Sequence, residues 1–387
     1  MKIETLLVQS GMYRDPSTGS ISTPIYQSAT FSHPALGQST GYDYSRTANP
    51  TRTALEEAIA ALEKGDKGFA FASGMAAITS ILLLFKPNDH LVVSDDLYGG
   101  TYRILEEVFS HYGITATYVD TSSIEAITSA VKENTKGLFI ETPTNPLMKV
   151  TDLKAALSFA KEKGILSVVD NTFMTPYLQR PIKFGADIVM HSATKYLGGH
   201  NDAVAGLVVT AHEELSLKMA KIHNGAGAIL GPQDSWLILR GMKTLGIRLD
   251  RQQANAARIA EVLNAHPSIE TVYYPGLEDH PQYELSRRQA EGFGAMLSFT
   301  VKNMELVPHI LENLKVISFA ESLGGVESLI TYPATQTHAD IPREIRDARG
   351  ITDKLLRLSV GIENAEDLIE DLTAVLAPVQ EPAGAEK

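Results

Sequence analysis

The chain has 387 residues, with 34 Lys+Arg against 46 Asp+Glu and a formal net charge of −12. That length predicts two or three domains with ample cores, and 21% charged with 44% hydrophobic residues is an ordinary globular mixture. The acidic balance argues against a nucleic-acid or anionic-membrane partner, and the absence of cysteine removes disulfides, thiolate metal sites and a cysteine nucleophile.

Residues 1–52 are turn-rich and polar-aromatic, without a sustained period, and read as an extended arm. The opening Met1-Lys2-Ile3-Glu4 has no apolar signal core. The apolar stretch from Ile78 to Phe85 falls short of the about 20 residues of a membrane span, so the expectation is a soluble cytoplasmic protein. From Thr53 the pattern becomes regular, with a helix over 54–63 stopped by Gly65. Apolar runs follow at 91–93, 117–119, 138–140, 166–169, 188–190 and 207–209. Helical patterns at 102–112, 123–133 and 152–163 lie between them. Unbroken apolar strands alternating with helices predict a mainly parallel α/β sheet buried on both faces. Residues 233–265 read as one long or kinked helix with Gly241 and Gly246 as weak points. Strands at 296–301 and 356–360 with helices at 307–314 and 365–377 predict a smaller C-terminal α/β unit, and 378–387 a polar tail. The implied division is an arm (1–52), a cofactor-binding α/β domain (53–248) and a C-terminal α/β domain (249–387).

Several motifs are missing. There is no Gly-x-Gly-x-x-Gly after a strand, no Walker loop, no His-Glu-x-x-His and no Gly-x-Ser-x-Gly. His212-Glu213-Glu214 lacks the second histidine that zinc needs, and no metal site is expected. Ligands of a parallel sheet sit beyond the carboxyl ends of its strands. There Asp170-Asn171-Thr172 follows one run, and His191-Ser192-Ala193-Thr194-Lys195 follows the next. That pairing suits pyridoxal 5'-phosphate (PLP), held as an imine on Lys195 with Asp170 keeping the pyridine nitrogen protonated. Ser192 and Thr194 suit its phosphate; the alternative is a surface ion pair. Ser73-Gly74-Met75 opens a helix after an apolar run, where free N–H groups attract an anion, or where the serine only caps the helix.

These residues, together with Tyr44-Ser45-Arg46, Asn49-Pro50-Thr51-Arg52, Asp96 to Thr101, Glu141 to Pro146, Glu321 to Gly325 and Arg357 to Gly361, carry a resemblance. From about Thr5 to Ala377 the chain resembles the cystathionine γ-synthase/γ-lyase/β-lyase family of PLP enzymes. The resemblance implies the type I, aspartate aminotransferase-like fold and a homotetramer built as a dimer of dimers. It further implies that Tyr44 and Arg46 reach the partner subunit's cofactor phosphate, and that Tyr98 stacks on the ring and assists proton transfer. Asn145 is implied as a contact to the cofactor or the substrate carboxylate, with Ser322 assisting that carboxylate. Arg103 is implied at the entrance, and Glu321 resembles the acidic residue of γ-acting members. Arg357, in an otherwise apolar strand, needs an anion: the substrate α-carboxylate, or a structural partner such as Glu363. Thr47, where synthases can carry an arginine, disfavours a synthase, and the missing cysteine disfavours a methionine γ-lyase. Asn201, Gln336 and Asp340 depart from the family pattern. The expected function is elimination from L-cystathionine, a sulfur amino acid, at Cβ or Cγ. The alternatives are γ-replacement by a synthase or sulfhydrylase, and a non-catalytic member of the fold.

Overall fold

The computed structural model describes residues 1–377 apart from 13, 14, 16 and 340. Asp340 and the tail at 378–387 therefore lie outside the described residues. Seven strands form the larger sheet: β1 (Lys67–Phe71), β2 (His90–Ser94), β3 (Thr115–Val119), β4 (Thr135–Glu141), β5 (Leu166–Asp170), β6 (Ile188–Ser192) and β7 (Gly206–Thr210). Their order is β1-β7-β6-β5-β4-β2-β3, and β2 to β6 pair in parallel. Alternate side chains feed two cores. Val93, Phe139, Val168 and Ile188 face one, and Val92, Leu138, Val169 and Val189 the other. Burial on both faces is why these strands read as continuous apolar runs.

The run at 207–209 departs from expectation, because β7 is antiparallel to both β6 and β1. No helix crosses over between β6 and β7, and without a crossover the chain can only return in the opposite direction. The loop that makes this return carries Lys195.

The second sheet contains β8 (Ile269–Tyr273), β9 (Met296–Val301), β10 (Ser318–Phe319), β11 (Leu329–Thr331) and β12 (Leu355–Ser359). Its order is β10-β11-β12-β9-β8, and only β10 and β11 pair in parallel.

The helix expected over 54–63 starts earlier, at Pro50. Asn49 caps it by accepting the Thr51 N–H at 3.0 Å, and Pro50 occupies the first turn, where no N–H is needed. The pattern at 233–265 is two helices, Pro232–Met242 and Leu245–Asn264. A Cβ on Gly241 would come within 2.1 Å of the Gly198 carbonyl oxygen, so only glycine lets the first helix approach the loop after Lys195. Arg248 joins the two by donating to the Gly241 oxygen at 2.8 Å and the Tyr196 oxygen at 2.9 Å.

The pattern at 102–112 resolves into a helix over Gly99–Glu107 and a short 3-10 turn. The arm is not wholly extended: Ile3–Gln9 is helical, and Leu7 is buried in the main core. Seven residues are too few for the period to register in sequence. No helix among the described residues is long and apolar enough to cross a membrane.

Candidate active site

Three parallel strands end at one place. Glu141 closes β4, its register partner Asp170 closes β5, and Ser192 closes β6. Thr172 ties the last two ends together. Its N–H donates to Asp170 Oδ1 at 2.9 Å, and its Oγ1 accepts the Ser192 N–H at 2.8 Å. Beyond these ends lies a cavity of about 230 Å³. Its lining includes Ser73, Gly74, Met75, Tyr98, Asn145, Asp170, Ser192, Thr194, Lys195, Glu321, Ser322 and Arg357. Twelve of the residues singled out in the sequence thus meet in one space.

Lys195 enters from the loop between β6 and β7, and its Nζ donates to Ser322 Oγ at 2.9 Å. Burial pushes the amine down to about 8, with Arg357 contributing and Glu321 opposing. Ser322 sits at φ +87, an uncommon conformation for a residue with a side chain. It serves two groups at once, because its carbonyl accepts Arg357 Nη2 at 3.1 Å. The neighbouring Gly324 must be glycine. A Cβ there would sit 2.6 Å from the Tyr196 nitrogen, and φ is +78.

Arg357 lies buried in β12 and donates to Asn145 Oδ1 (2.9 Å) and Thr331 Oγ1 (3.2 Å). All these acceptors are neutral, and its Nε is buried without a partner. The alternative partner Glu363 is engaged elsewhere, accepting the Ser328 N–H and hydroxyl at 2.6 and 2.9 Å. Burial pushes the guanidinium down to about 10. A buried cation contacting only neutral oxygens is arranged to receive an anion.

The helix Gly74–Leu82 begins at the opposite wall. Ser73 Oγ accepts the Ala76 N–H at 3.0 Å, which leaves the Gly74 and Met75 N–H groups free at the positive end of the helix. A Cβ on Gly74 would lie 3.2 Å from Ser192 Oγ, so the glycine keeps this cradle open. Thr194 Oγ1 donates to the Ala205 oxygen at 3.2 Å and accepts the Ala205 N–H at 3.0 Å, bracing the turn that carries Lys195. Tyr98 stands over the start of the next helix. A Cβ on Gly100 would be 2.5 Å from its ring, and one on Gly99 would be 2.3 Å from the Thr337 oxygen. The double glycine thus admits both groups to the rim.

Tyr44, Arg46 and Arg103 do not line this cavity. Tyr44 is half exposed and Arg46 lies 5.8 Å from its ring, while Arg103 is exposed on the helix that follows Tyr98. Asn201 donates to Glu327 at 2.8 Å, and Gln336 Oε1 accepts the Tyr332 N–H at 2.8 Å. Both departures from the family pattern are thus structural bonds away from the lining.

Sequence reasoning missed Glu141 as a site residue. Its Oε2 accepts the Tyr98 N–H at 2.9 Å, and burial together with nearby Asp170 raises its carboxyl well above the usual range. The signal was available, because Glu141 ends an apolar run just as Asp170 does. Thr337 and His338, also at the site, gave no such strand-end signal.

A family model described as "Cys/Met metabolism PLP-dependent enzyme" matches residues 4–377. The chain belongs to that family. It is 55% identical over 376 residues to a cystathionine gamma-lyase from Bacillus subtilis strain 168, covering 97% of this chain and 99% of the relative. It is 51% identical over 374 residues to a cystathionine beta-lyase from Lactococcus lactis subsp. cremoris, covering 97% and 98%. Among solved structures, a cystathionine gamma synthase from Xanthomonas oryzae pv. oryzae in complex with cystathionine superposes with a TM-score of 0.95 at 44% identity, covering 97% and 98%. The fold is therefore the type I PLP fold, and the chain is a PLP enzyme of sulfur amino acid metabolism.

The residues fit that cofactor. A half-buried lysine shares the cavity with a buried strand-end carboxylate, and the Gly74 cradle offers free N–H groups to a phosphate. Loading requires the neutral lysine amine, which prevails once the pH exceeds about 8. After the cofactor is stripped, the absorbance-monitored rate of reloading is expected to rise up to about pH 8 and then level. A rate still rising steeply near pH 10 would place Lys195 in a water-like setting.

Proposed function

We propose that the protein is a cystathionine lyase that cleaves a C–S bond of L-cystathionine. The observation that carries this reading is the shared cavity, lined by Asp170, a lysine amine with a lowered pKa and an arginine with no ion-pair partner among the described residues. In this reading Asp170 holds the ring nitrogen of PLP. Ser73, Gly74, Met75, Ser192 and Thr194 would hold its phosphate, and Tyr98 would lie against its ring. When bound, the cofactor supplies an electron sink for the substrate Cα.

The chain's own groups do the rest. Arg357 takes the substrate α-carboxylate, with Asn145 and Ser322 holding the guanidinium in place. Lys195 Nζ, kept over the cavity by Ser322, removes the Cα proton and is the proton store for later transfers. Glu321 at the mouth suits the distal ammonium of the substrate, and Arg103 the entrance. Tyr44 and Arg46, outside their own chain's cavity, suit the phosphate of a partner in a cytoplasmic homotetramer built as a dimer of dimers. The arm at 1–52 then spans subunits, with 53–248 and 249–387 as the two α/β domains.

The second reading is γ-replacement, favoured by the likeness to a cystathionine gamma synthase. Against it, the cations among the described lining residues are Lys195 and Arg357, so that only Arg103 at the entrance would remain for the distal carboxylate of a succinylated substrate. The test is the 2-oxo acid formed from L-cystathionine by the PLP-loaded enzyme. Pyruvate with homocysteine identifies β-elimination, and 2-oxobutyrate with cysteine identifies γ-elimination. If neither forms, the lyase reading falls and replacement on an acylated homoserine takes its place.

A further inference from the structure

We propose that His338 is a positioning residue for the substrate-carboxylate clamp: its imidazole holds Asn145 and Thr337 where they, with Arg357, face the cavity. His338 is fully buried, between Thr337 in the cavity wall and the rest of the segment from β11 to β12. Its Nε2 lies 3.0 Å from the Asn145 carbonyl oxygen and its Nδ1 2.8 Å from Thr337 Oγ1. The geometry assigns the protons. A carbonyl oxygen can only accept, so Nε2 carries the hydrogen. In the neutral ring Nδ1 is then an acceptor, and the Thr337 hydroxyl donates to it.

The groups around the ring keep it neutral. The Arg357 and Arg349 guanidiniums both oppose protonation, while the Asn145 and Leu97 carbonyls favour it. Burial outweighs all of these and pushes the imidazole down to about 4. From Asn145 the chain of contacts continues to the clamp, since Asn145 Oδ1 accepts Arg357 Nη1 at 2.9 Å. The Asn145 turn is held on its far side by Asp96, which accepts the Thr144 hydroxyl and the Leu147 N–H. The imidazole pins the near side. Without its N–H the Asn145 carbonyl is buried unpaired, and the turn can relax only by moving the amide that orients Arg357.

This inference rests on the reading of Arg357 as the α-carboxylate binder, and its test separates the two. PLP-loaded wild type, His338→Leu and His338→Gln are titrated with L-alanine, which has amine and carboxylate, and with ethylamine, which lacks the carboxylate. Binding is followed by the cofactor absorbance. His338→Leu is expected to weaken L-alanine by about tenfold while ethylamine stays within about twofold. His338→Gln, whose amide can offer N–H to the Asn145 oxygen, is expected to recover most of that loss. Unchanged L-alanine binding in His338→Leu, equal weakening of both probes, or no recovery in His338→Gln overturns the positioning role alone. A wild type that binds both probes alike overturns the reading of Arg357, and this inference with it. If His338→Leu does not fold, His338→Asn, whose shorter amide cannot reach the Asn145 oxygen, replaces it under the same criteria.

Discussion

Lys195→Ala is expected to lower turnover of L-cystathionine by about ten-thousand-fold, because in the proposed mechanism one amine would both anchor the cofactor and carry the Cα proton. The loss should come without unfolding. Among the described residues Lys195 Nζ has one hydrogen bond, to Ser322 Oγ, and its charge lies in a site shared with Arg357. Removing it relieves repulsion between two cations, so the thermal midpoint of the cofactor-free protein is expected to hold or rise. The measurement is kcat on L-cystathionine alongside a melting curve. Activity above about one per cent of wild type in a folded variant would remove Lys195 from the role of base.

Asp170→Asn is expected to reduce kcat by about a hundredfold and to weaken cofactor retention. The two carboxylates at the ends of β4 and β5 are both buried, and burial raises both. Neither has an ion-pair partner among the described residues. In the proposed site a protonated ring nitrogen of PLP would supply the missing counter-charge to Asp170 and would in turn be kept protonated by it. Asparagine preserves shape and can still accept the Thr172 N–H, but it carries no charge. Glu141 is poorly placed to substitute, because its Oε2 is engaged by the Tyr98 N–H. Steady-state rates and equilibrium dialysis of PLP test both effects. An unchanged rate at full cofactor occupancy would count against the pairing.

Much of the site was legible in the chain because strand ends punctuate it. Asp170 and Lys195 stand out as polar residues that abruptly follow apolar runs, and the Ser73-Gly74 turn stands out as a break before a helix. Arg357 was legible for the opposite reason, as a charge inside an apolar strand. Its anion was not, because Glu363 is a plausible partner until it is seen bound to Ser328. His338 was illegible, since its bond to Asn145 depends on a contact between a β4 turn and the β11–β12 segment that is 193 residues away in sequence. The helix at 3–9 went unseen because two turns hold too few positions to define a face.

By itself, the sequence determined the mainly parallel sheet, the strand-end lysine and carboxylate, and the family to which they belong. Local period encodes the strands and their ends directly, while the family was legible only as a resemblance carried by motifs such as Tyr44-Ser45-Arg46 and Glu321 to Gly325. Only the tertiary structure decided the direction of β7, the break between the helices at 232–242 and 245–264, and the pairing of Glu141 with the Tyr98 N–H. It also decided that the hydrogen-bond acceptors of Arg357 are neutral oxygens. Each of these depends on which backbone approaches which across the fold, as where the Gly241 helix meets the Gly198 carbonyl. Such close approaches join residues far apart in the chain, and no local pattern records them.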